Sequence, residues 1–234
     1  MSSNIARKEL KQDKFAAEVV HTVDYFAGHR KNFTMYGSIA VVVLLAITGG
    51  WYYRSGQIAA RNQALGEAMA LSNVQVGPGT PGGPPSYPTD AAKNDAITKA
   101  FTKITSDYSG SEEAYVARYI LAGHAADEGK LDDAKKQYQD VADHANAGYA
   151  SLAKLAIAQI DFSQNHAAEA ETLLKDLMEH PTTLVSKNEA TIAYARGIGA
   201  TKPDEARKLL TALTTPPTDI SPIASAALAE LPQK

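Results

Sequence analysis

One uncharged stretch constrains this chain more than any other feature: no charged residue occurs between Lys31 and Arg54. A helix over residues 33–53 would be about 31 Å long, which matches a bilayer hydrocarbon core of about 30 Å. Cationic residues stand on both sides of this apolar run, as they do at the ends of membrane helices. The pattern predicts a transmembrane helix over residues 32–54.

Aromatic residues close the stretch at Trp51, Tyr52 and Tyr53, and their amphipathic rings favour the headgroup zone. A buried helix of a soluble protein is the alternative, but an uncharged run of this length with basic flanks argues against it. A cleaved signal peptide would have a shorter apolar core, nearer the start and followed by small residues. We therefore predict a retained anchor.

Cationic residues are distributed unequally about the predicted span, which predicts its orientation. Only Arg54 and Arg61 follow it closely, whereas six cations precede it: Arg7, Lys8, Lys11, Lys14, Arg30 and Lys31. Residues 1–31 are thus predicted to be a cytoplasmic amphipathic segment, with Phe15, Val19, Val23 and Phe26 on one helical face. That face would rest on lipid or on a partner helix, or the segment is simply a short solvated helix.

Charge and cysteine content exclude several function classes for the part after the span. From Ser55 onward there are 16 Lys and Arg against 22 Asp and Glu, so no basic surface is available for nucleic acid. The chain has no cysteine, which excludes disulfides, thiolate metal ligands and a cysteine nucleophile.

The region next to the span divides into two segments. Residues 55–75 are Ala-rich and predict a membrane-proximal helix. This helix is either separate from the span or continuous with it. Residues 76–90 are dense in Gly and Pro, which cannot sustain a helix or a strand ladder, so they predict a flexible loop. A phosphate-binding loop is a poor interpretation, because no Gly-Lys-Ser/Thr ending exists and no strand precedes it.

Residues 91–234 contain an internal repeat of 36 residues. A small residue, a large apolar residue, a second apolar residue and a helix breaker recur in phase. In order, these four positions are Ala134, Tyr138, Val141 and Ala145; Ala170, Leu174, Leu177 and Pro181; and Ala206, Leu210, Leu213 and Pro217. Small residues let paired helices approach and breakers start the next pair, so the repeat predicts helical hairpins.

The first helix of each hairpin repeats less strictly than the second. Arg118 corresponds to Lys154, whereas Glu189 and Tyr194 break the phase in the third hairpin. An earlier partial hairpin is predicted from Ile97, Phe101, Ile104 and Tyr108, with residues 57–73 as its first helix. A last helix, Pro222 to Leu231, is predicted to start with cap and first-turn chemistry at Ser221 and Pro222. The predicted fold class is all-α, a transmembrane helix followed by an α-solenoid of hairpins.

The second helices resemble those of tetratricopeptide repeats, although the usual Trp, Gly and Tyr of the first helix are missing. Considered whole, from Asp24 to about Leu231, the chain resembles the single-pass tetratricopeptide-like family of ancillary Sec translocon subunits of the bacterial inner membrane. The most specific portion comprises Phe26, Gly37, Gly50, Trp51, Tyr52, Tyr53, Ala60, Ala64, Ala68, Met69 and Ala70. This resemblance implies a type II inner-membrane protein with a periplasmic repeat domain, in contact with the translocon and with periplasmic chaperones or clients.

Catalytic and metal-binding patterns are weak. Ser151 and Lys154 fit the S-x-x-K pattern of serine acyl-enzymes, but no S-D-N or K-T-G partner follows and both fall on a repeat helix. The six His show no H-E-x-x-H pattern or close pairing, which leaves zinc unsupported. His144 and His180 are one repeat apart and lie near predicted helix C-termini, where a cation is favoured. We expect no enzymatic activity, no cofactor, no metal and no small-molecule substrate.

A recognition surface is the remaining hypothesis. In the repeat register the inner wall of the array is predicted to contain Val116, Tyr119, Leu152, Leu155, Gln159 and Phe162, whose apolar members would grip a peptide. The alternative is that they pack against neighbouring repeats or the last helix. The leading functional hypothesis is a non-enzymatic, membrane-anchored interaction module beside the Sec translocon. The alternative is an assembly scaffold for an envelope-biogenesis or cell-division complex.

Overall fold

The structure is a computed structural model that describes residues 30–78, 85–215 and 219–232. Within these ranges the chain forms nine α-helices and one pair of two-residue strands. It divides into two compact units, Met1–Ala59 and Ala60–Lys234. The predicted amphipathic stripe of Phe15, Val19, Val23 and Phe26 lies outside the described residues.

Helix α1, Arg30–Ser72, combines the predicted span and the predicted membrane-proximal helix in a single helix of 43 residues. Its stretch Ser38–Ser72 is long and apolar enough to cross a membrane, and none of its most apolar window is buried within the protein. In the first unit its large side chains are exposed, for example Leu45 at 66% and Trp51 at 72%.

A short parallel strand pair brackets the Gly/Pro-rich segment: β1, Gln75–Val76, pairs with β2, Ser86–Tyr87, with Gln75 opposite Ser86. The amide of Gly77 extends the pairing by donating to the carbonyl oxygen of Tyr87 at 2.9 Å. The prediction that residues 76–90 cannot form a ladder was therefore wrong at the edges of the segment. The flanking residues keep their N–H donors, which Pro lacks, and a β-compatible Val and Tyr take part.

The second unit continues with helices that pack in sequence order. They are α2, Asp90–Asp107; α3, Glu112–Asp127; α4, Leu131–His144; α5, Ala147–Ser163; α6, Ala167–Glu179; α7, Lys187–Ile198; α8, Pro203–Thr214; and α9, Ser221–Glu230. Each helix from α2 to α9 packs on the next one. In addition, α5 contacts both α3 and α7, and α7 contacts α9, so the first helices of successive hairpins form a layer of their own. The predicted array of helical hairpins is confirmed.

The repeated positions form the core that their spacing predicted. Ala134, Ala170 and Ala206 are fully buried, and the large apolar residues four positions later are buried as well: Tyr138, Leu174 and Leu210. Because an alanine has no side chain beyond Cβ, it allows the two helices of a hairpin to approach closely. The N-terminal partial hairpin is also confirmed, since Ile97, Phe101 and Ile104 of α2 form a buried cluster with Ala68 of α1.

The turns and helix ends repeat with the same period in the first two hairpins. Gly129 and Asn165, 36 positions apart, have left-handed φ values of 76° and 65° and end α3 and α5. Glycine and asparagine are the residues that adopt this conformation most readily. At the last helix the prediction was wrong in detail: Ile220, without a side-chain cap bond, is the N-cap, and the Ser221 hydroxyl donates to the Leu213 carbonyl oxygen at 3.1 Å.

A polar contact between the two helices of a hairpin also recurs after 36 residues. Arg118 of α3 pairs with Asp140 of α4, and Lys154 of α5 pairs with Asp176 of α6 at 2.8 Å. The hydrogen bond from Lys154 lowers the pKa of the Asp176 carboxyl below its ordinary value. His144 and His180 lie beside these carboxylates, with Nδ1 2.9 Å from the Asp140 carbonyl oxygen and 3.2 Å from that of Asp176. Their predicted placement at helix C-termini is confirmed. In the third hairpin both ion-pair positions are alanine, Ala190 and Ala212.

Candidate functional site

A cavity of about 430 Å³ opens on the layer of first helices near the C-terminal end of the array. We call it the apolar cavity. It has one wall from α5, a floor from α7 and a second wall from the start of α9. The lining residues are Leu155, Gln159 and Phe162 of α5; Glu189, Ile192, Ala193, Arg196 and Gly197 of α7; and Ile220 and Ile223 around the start of α9.

The floor depends on a close approach between α5 and α7. The Phe162 ring lies directly on Gly197, so a Cβ added at Gly197 would come within 2.0 Å of the ring carbon Cε2. Such a distance is shorter than any real carbon contact, and only glycine leaves room for the ring there. Gly197 thus leaves the space that the Phe162 ring occupies, and both residues line the cavity.

Helix α9 forms its wall because it is packed on α7 and α8. Ala224 and Ala227 are fully buried, and Leu231 lies over Gly199, where an added Cβ would come within 2.6 Å of Leu231 Cδ2. The Arg196 guanidinium forms a two-bond ion pair with Glu230, at 3.0 and 3.2 Å. Planar, two-bond pairing of this kind gives geometric specificity in addition to charge attraction.

The polar groups at the cavity differ in how far they are already engaged. Arg196 is held by Glu230. Glu189 belongs to the capping box of α7: its carboxylate accepts from the Ser186 amide at 2.8 Å, and the Ser186 hydroxyl accepts from the Glu189 amide. Gln159 is exposed, and its side-chain carboxamide has no hydrogen-bond partner among the described residues. The cavity therefore presents the free carboxamide of Gln159 beside apolar side chains of α5, α7 and α9.

The structure places the six predicted surface residues in three different settings. Leu155, Gln159 and Phe162 come together in the apolar cavity. Leu152 is partly buried against the core of the last two hairpins. Val116 and Tyr119 lie on α3, away from the cavity, and Val116 is only 7% exposed. The six residues thus do not form one continuous cavity.

Tyr119 belongs to an aromatic cluster instead. Its ring lies 5.3 Å from that of Tyr138 and 6.0 Å from that of Tyr149, both in edge-on geometry. Burial raises the pKa of the Tyr119 phenol and raises that of Tyr138 to about 12. This edge-on packing between α3, α4 and α5 is typical of a hydrophobic core.

A second cavity, of about 660 Å³, lies among α2, α3 and α4, and we call it the polar cavity. Three threonines of α2, six charged side chains of both signs and four other residues line it. They are Thr98, Thr102 and Thr105; Arg118, Glu128, Lys130, Asp133, Lys136 and Asp140; and Leu121, His124, Ala125 and Gln137. Several charges are already paired, Arg118 with Asp140 and Lys130 with Glu128 at 2.7 Å. Its lining is therefore balanced in charge.

The side chains of Ser151 and Lys154, which fit the weak catalytic pattern, are both bonded to other residues. The Ser151 hydroxyl lies 2.7 Å from both the Gly148 carbonyl oxygen and the Thr182 hydroxyl, while the Lys154 ammonium pairs with Asp176. The lysine is thus engaged elsewhere and does not activate the serine. Within the described ranges, no three His, Asp or Glu side chains come together as a metal site.

The α7 and α9 side of the cavity was missed by the sequence reasoning, because the repeat phase weakens at Glu189 and Tyr194. A usable signal is present in Gly197 and Gly199, two glycines within one turn near the end of an otherwise helical pattern. Glycine in a helix interior weakens the helix, so its presence there indicates close contact with another element.

A family model described as a tetratricopeptide repeat-like domain matches residues 29–214. The match includes both the apolar part of α1 and the three hairpins. No curated protein and no solved structure matches the chain.

Proposed function

Since the chain belongs to the tetratricopeptide repeat-like domain family, we propose that it is a membrane-anchored protein-interaction module. Domains of this family are generally non-enzymatic and bind protein partners through surfaces that stacked hairpins create. The observation that supports the proposal best is the extent of the family match, which joins the apolar helix and the repeats in one domain type.

Membrane anchoring is supported by the part of α1 that belongs to the first unit. Its large apolar side chains, such as Val42 and Leu45, are exposed, and no part of its most apolar window is buried. A core helix of a soluble protein would bury them, whereas lipid would cover them in a bilayer. The unequal distribution of cations favours a cytoplasmic amino terminus, with the repeat unit on the far side.

The proposed location is the bacterial inner membrane, with the repeats in the periplasm, and the proposed partners are translocon components and periplasmic chaperones or clients. The support is the resemblance of the anchor and its flanks to ancillary Sec translocon subunits. Tethering raises the local concentration of a binding domain near its partners, to about the millimolar range for short links. Weak contacts at the apolar cavity would then be sufficient.

Membrane topology is tested by extraction and protease protection. After carbonate washing, we expect the full-length chain to stay in the membrane fraction. Protease added to spheroplasts should degrade the repeat unit and spare the amino-terminal segment. Release by carbonate, or a protected repeat unit, would contradict the anchoring proposal.

Partner identity is tested by crosslinking in native membranes followed by mass spectrometry. The proposal predicts adducts with translocon subunits, periplasmic chaperones and unfolded secretory chains. A single defined envelope-biogenesis or cell-division complex among the adducts would favour an assembly scaffold instead. Anchoring and partner identity can thus fail independently.

A further inference from the structure

The apolar cavity has the chemistry of a site for one kind of peptide. We propose that it binds an extended, basic segment of a partner protein by accepting one large apolar side chain. This inference rests on the proposed interaction function and adds the class of ligand. It follows from three properties of the cavity, namely its walls, its free amide and its charge.

The walls favour a large apolar side chain. Leu155 and Phe162 of α5 and Ile223 of α9 line the cavity together with Ile192, Ala193 and Gly197 of α7. The volume of about 430 Å³ leaves room for a side chain as large as Leu or Phe, with part of its flanking backbone. Ile223 is 49% exposed although it faces this cavity, and an inserted side chain would cover it.

The free side-chain carboxamide of Gln159 favours a ligand whose backbone is extended. Gln159 lies on α5 between Leu155 and Phe162, and its carboxamide offers two N–H donors and one oxygen acceptor. A segment in extended conformation presents unpaired N–H and C=O groups at each residue, whereas a helix satisfies these groups internally. Gln159 can therefore pair with the backbone of an extended segment while the neighbouring apolar walls take its side chain.

The charge at the cavity favours a basic segment. Glu189 lines the cavity, and Arg196, the one cation among the described lining residues, is already neutralised by Glu230. The sequence from Ser55 onward has six more acidic than basic residues, so the long-range field has the same sign. Lys or Arg on either side of the inserted side chain would be attracted, and acidic residues would be repelled.

The proposal is tested with the full-length chain in detergent and three fluorescein-labelled peptides, read by fluorescence anisotropy. The first is KSKFLSKS, the second replaces each K by E, and the third replaces F and L by A. We expect the basic apolar peptide to bind about tenfold more tightly than either control at low salt, with the preference over the acidic peptide falling at 0.5 M salt. Equal binding of the acidic peptide, or of the alanine peptide, would overturn the proposal.

Two variants locate the binding. Glu189→Gln removes the charge but keeps the capping box, because Gln serves at this position as Glu does, and we expect about threefold weaker binding of the basic peptide. Ile223→Ser shortens an exposed wall residue and should weaken binding about fivefold. The matched control Glu169→Gln removes the same charge from the start of α6, outside the cavity, and should leave binding unchanged.

Circular dichroism and thermal unfolding verify that each variant is folded. If Glu169→Gln weakens binding as much as Glu189→Gln does, binding depends on the overall negative charge of the chain and the assigned site is wrong. Tighter binding of a helix-stabilised version of the same peptide, or self-association that Ile223→Ser abolishes, would replace the extended peptide by another occupant. If partners are still crosslinked in membranes while no peptide binds, this inference fails and the interaction function stands.

Discussion

The polar cavity is larger than the apolar cavity, about 660 Å³ against about 430 Å³, yet four of its charged side chains are already paired with each other. Its central pair, Arg118 with Asp140, recurs one repeat later as Lys154 with Asp176. The recurrence indicates that this ion pair joins the two helices of each hairpin and has a structural role. The apolar cavity lies where the repeat changes, because the third hairpin has alanine at both ion-pair positions and an unusual glycine at Gly197. We therefore propose the partner site at the cavity where the array departs from its register, and not at the larger cavity.

Core packing common to both regions should give the largest effect. Leu174 is fully buried at the centre of the array, at the position equivalent to Tyr138 and Leu210. We expect Leu174→Ala to lower the free energy of unfolding by about 2–5 kcal/mol, measured by denaturant titration of the full chain in detergent. The control Leu184→Ala, at a residue that is 42% exposed, should cost less than about 1 kcal/mol. Similar costs for both variants would contradict the assigned core.

Alanine substitutions at two glycines should have effects of opposite sign on stability in the two regions. Gly197 lies under Phe162, whereas a Cβ at Gly123, in the first hairpin, would meet only Tyr138 Oη at an ordinary 3.5 Å. Gly197→Ala should destabilise the chain by about 1–2 kcal/mol through the clash. Gly123→Ala should instead stabilise it by up to about 1 kcal/mol through helix propensity. Thermal unfolding of both variants measures the sign, and the same sign for both would refute the close approach.

The link between the second and third hairpins should depend on pH. Glu171 of α6 accepts hydrogen bonds from Lys202 at 2.6 Å and from Lys175 at 3.2 Å, and the Lys202 bond contributes most to lowering the pKa of its carboxyl. Because the folded-state pKa lies below the ordinary 4.5, the stabilisation is complete above about pH 4.5 and is lost as the pH falls through the folded-state value.

We therefore expect Glu171→Gln to lower the free energy of unfolding at pH 7 by about 1–2 kcal/mol and to flatten its fall in acid. Denaturant titrations at several pH values between 3 and 7 measure both effects. Glu179→Gln, at an exposed residue at the end of α6, is the control. An acid limb that Glu171→Gln leaves unchanged would assign the pH dependence to other carboxylates.

The repeated ion pairs should give the smallest effect. The side chains of Arg118 and Asp140 are about one third exposed, and those of Lys154 and Asp176 slightly more. Pairs of this exposure contribute about 0.2–1 kcal/mol. Arg118→Gln and Lys154→Gln should each cost less than about 1 kcal/mol in denaturant titrations. A cost above about 2 kcal/mol for Arg118→Gln alone would show that the two hairpins are not equivalent.

Much of the fold is predictable from the sequence because one signal, the 36-residue recurrence of Ala134, Ala170 and Ala206, is determined by local helix pairing. The apolar cavity is predictable only in part. Leu155, Gln159 and Phe162 lie in the regular second hairpin, whereas Ile192, Gly197 and Ile223 come from helices whose register changes. Their meeting depends on how α9 docks on α7, a tertiary contact that the 36-residue recurrence does not specify. Gly197 and Gly199 indicate a close approach at the end of α7 but do not identify the element that approaches. The strand pair beside the Gly/Pro-rich segment escaped prediction for the same reason, since it joins residues 11 positions apart.

The central proposal is that this chain meets its partners at the apolar cavity and not at the polar one. Its most direct test places a photo-crosslinking amino acid at Gln159 or at Thr102, an exposed residue of the polar cavity, in the full chain in native membranes. We predict protein adducts from position 159 and few from position 102. Adducts that form mainly at position 102, or equally at both positions, would contradict it.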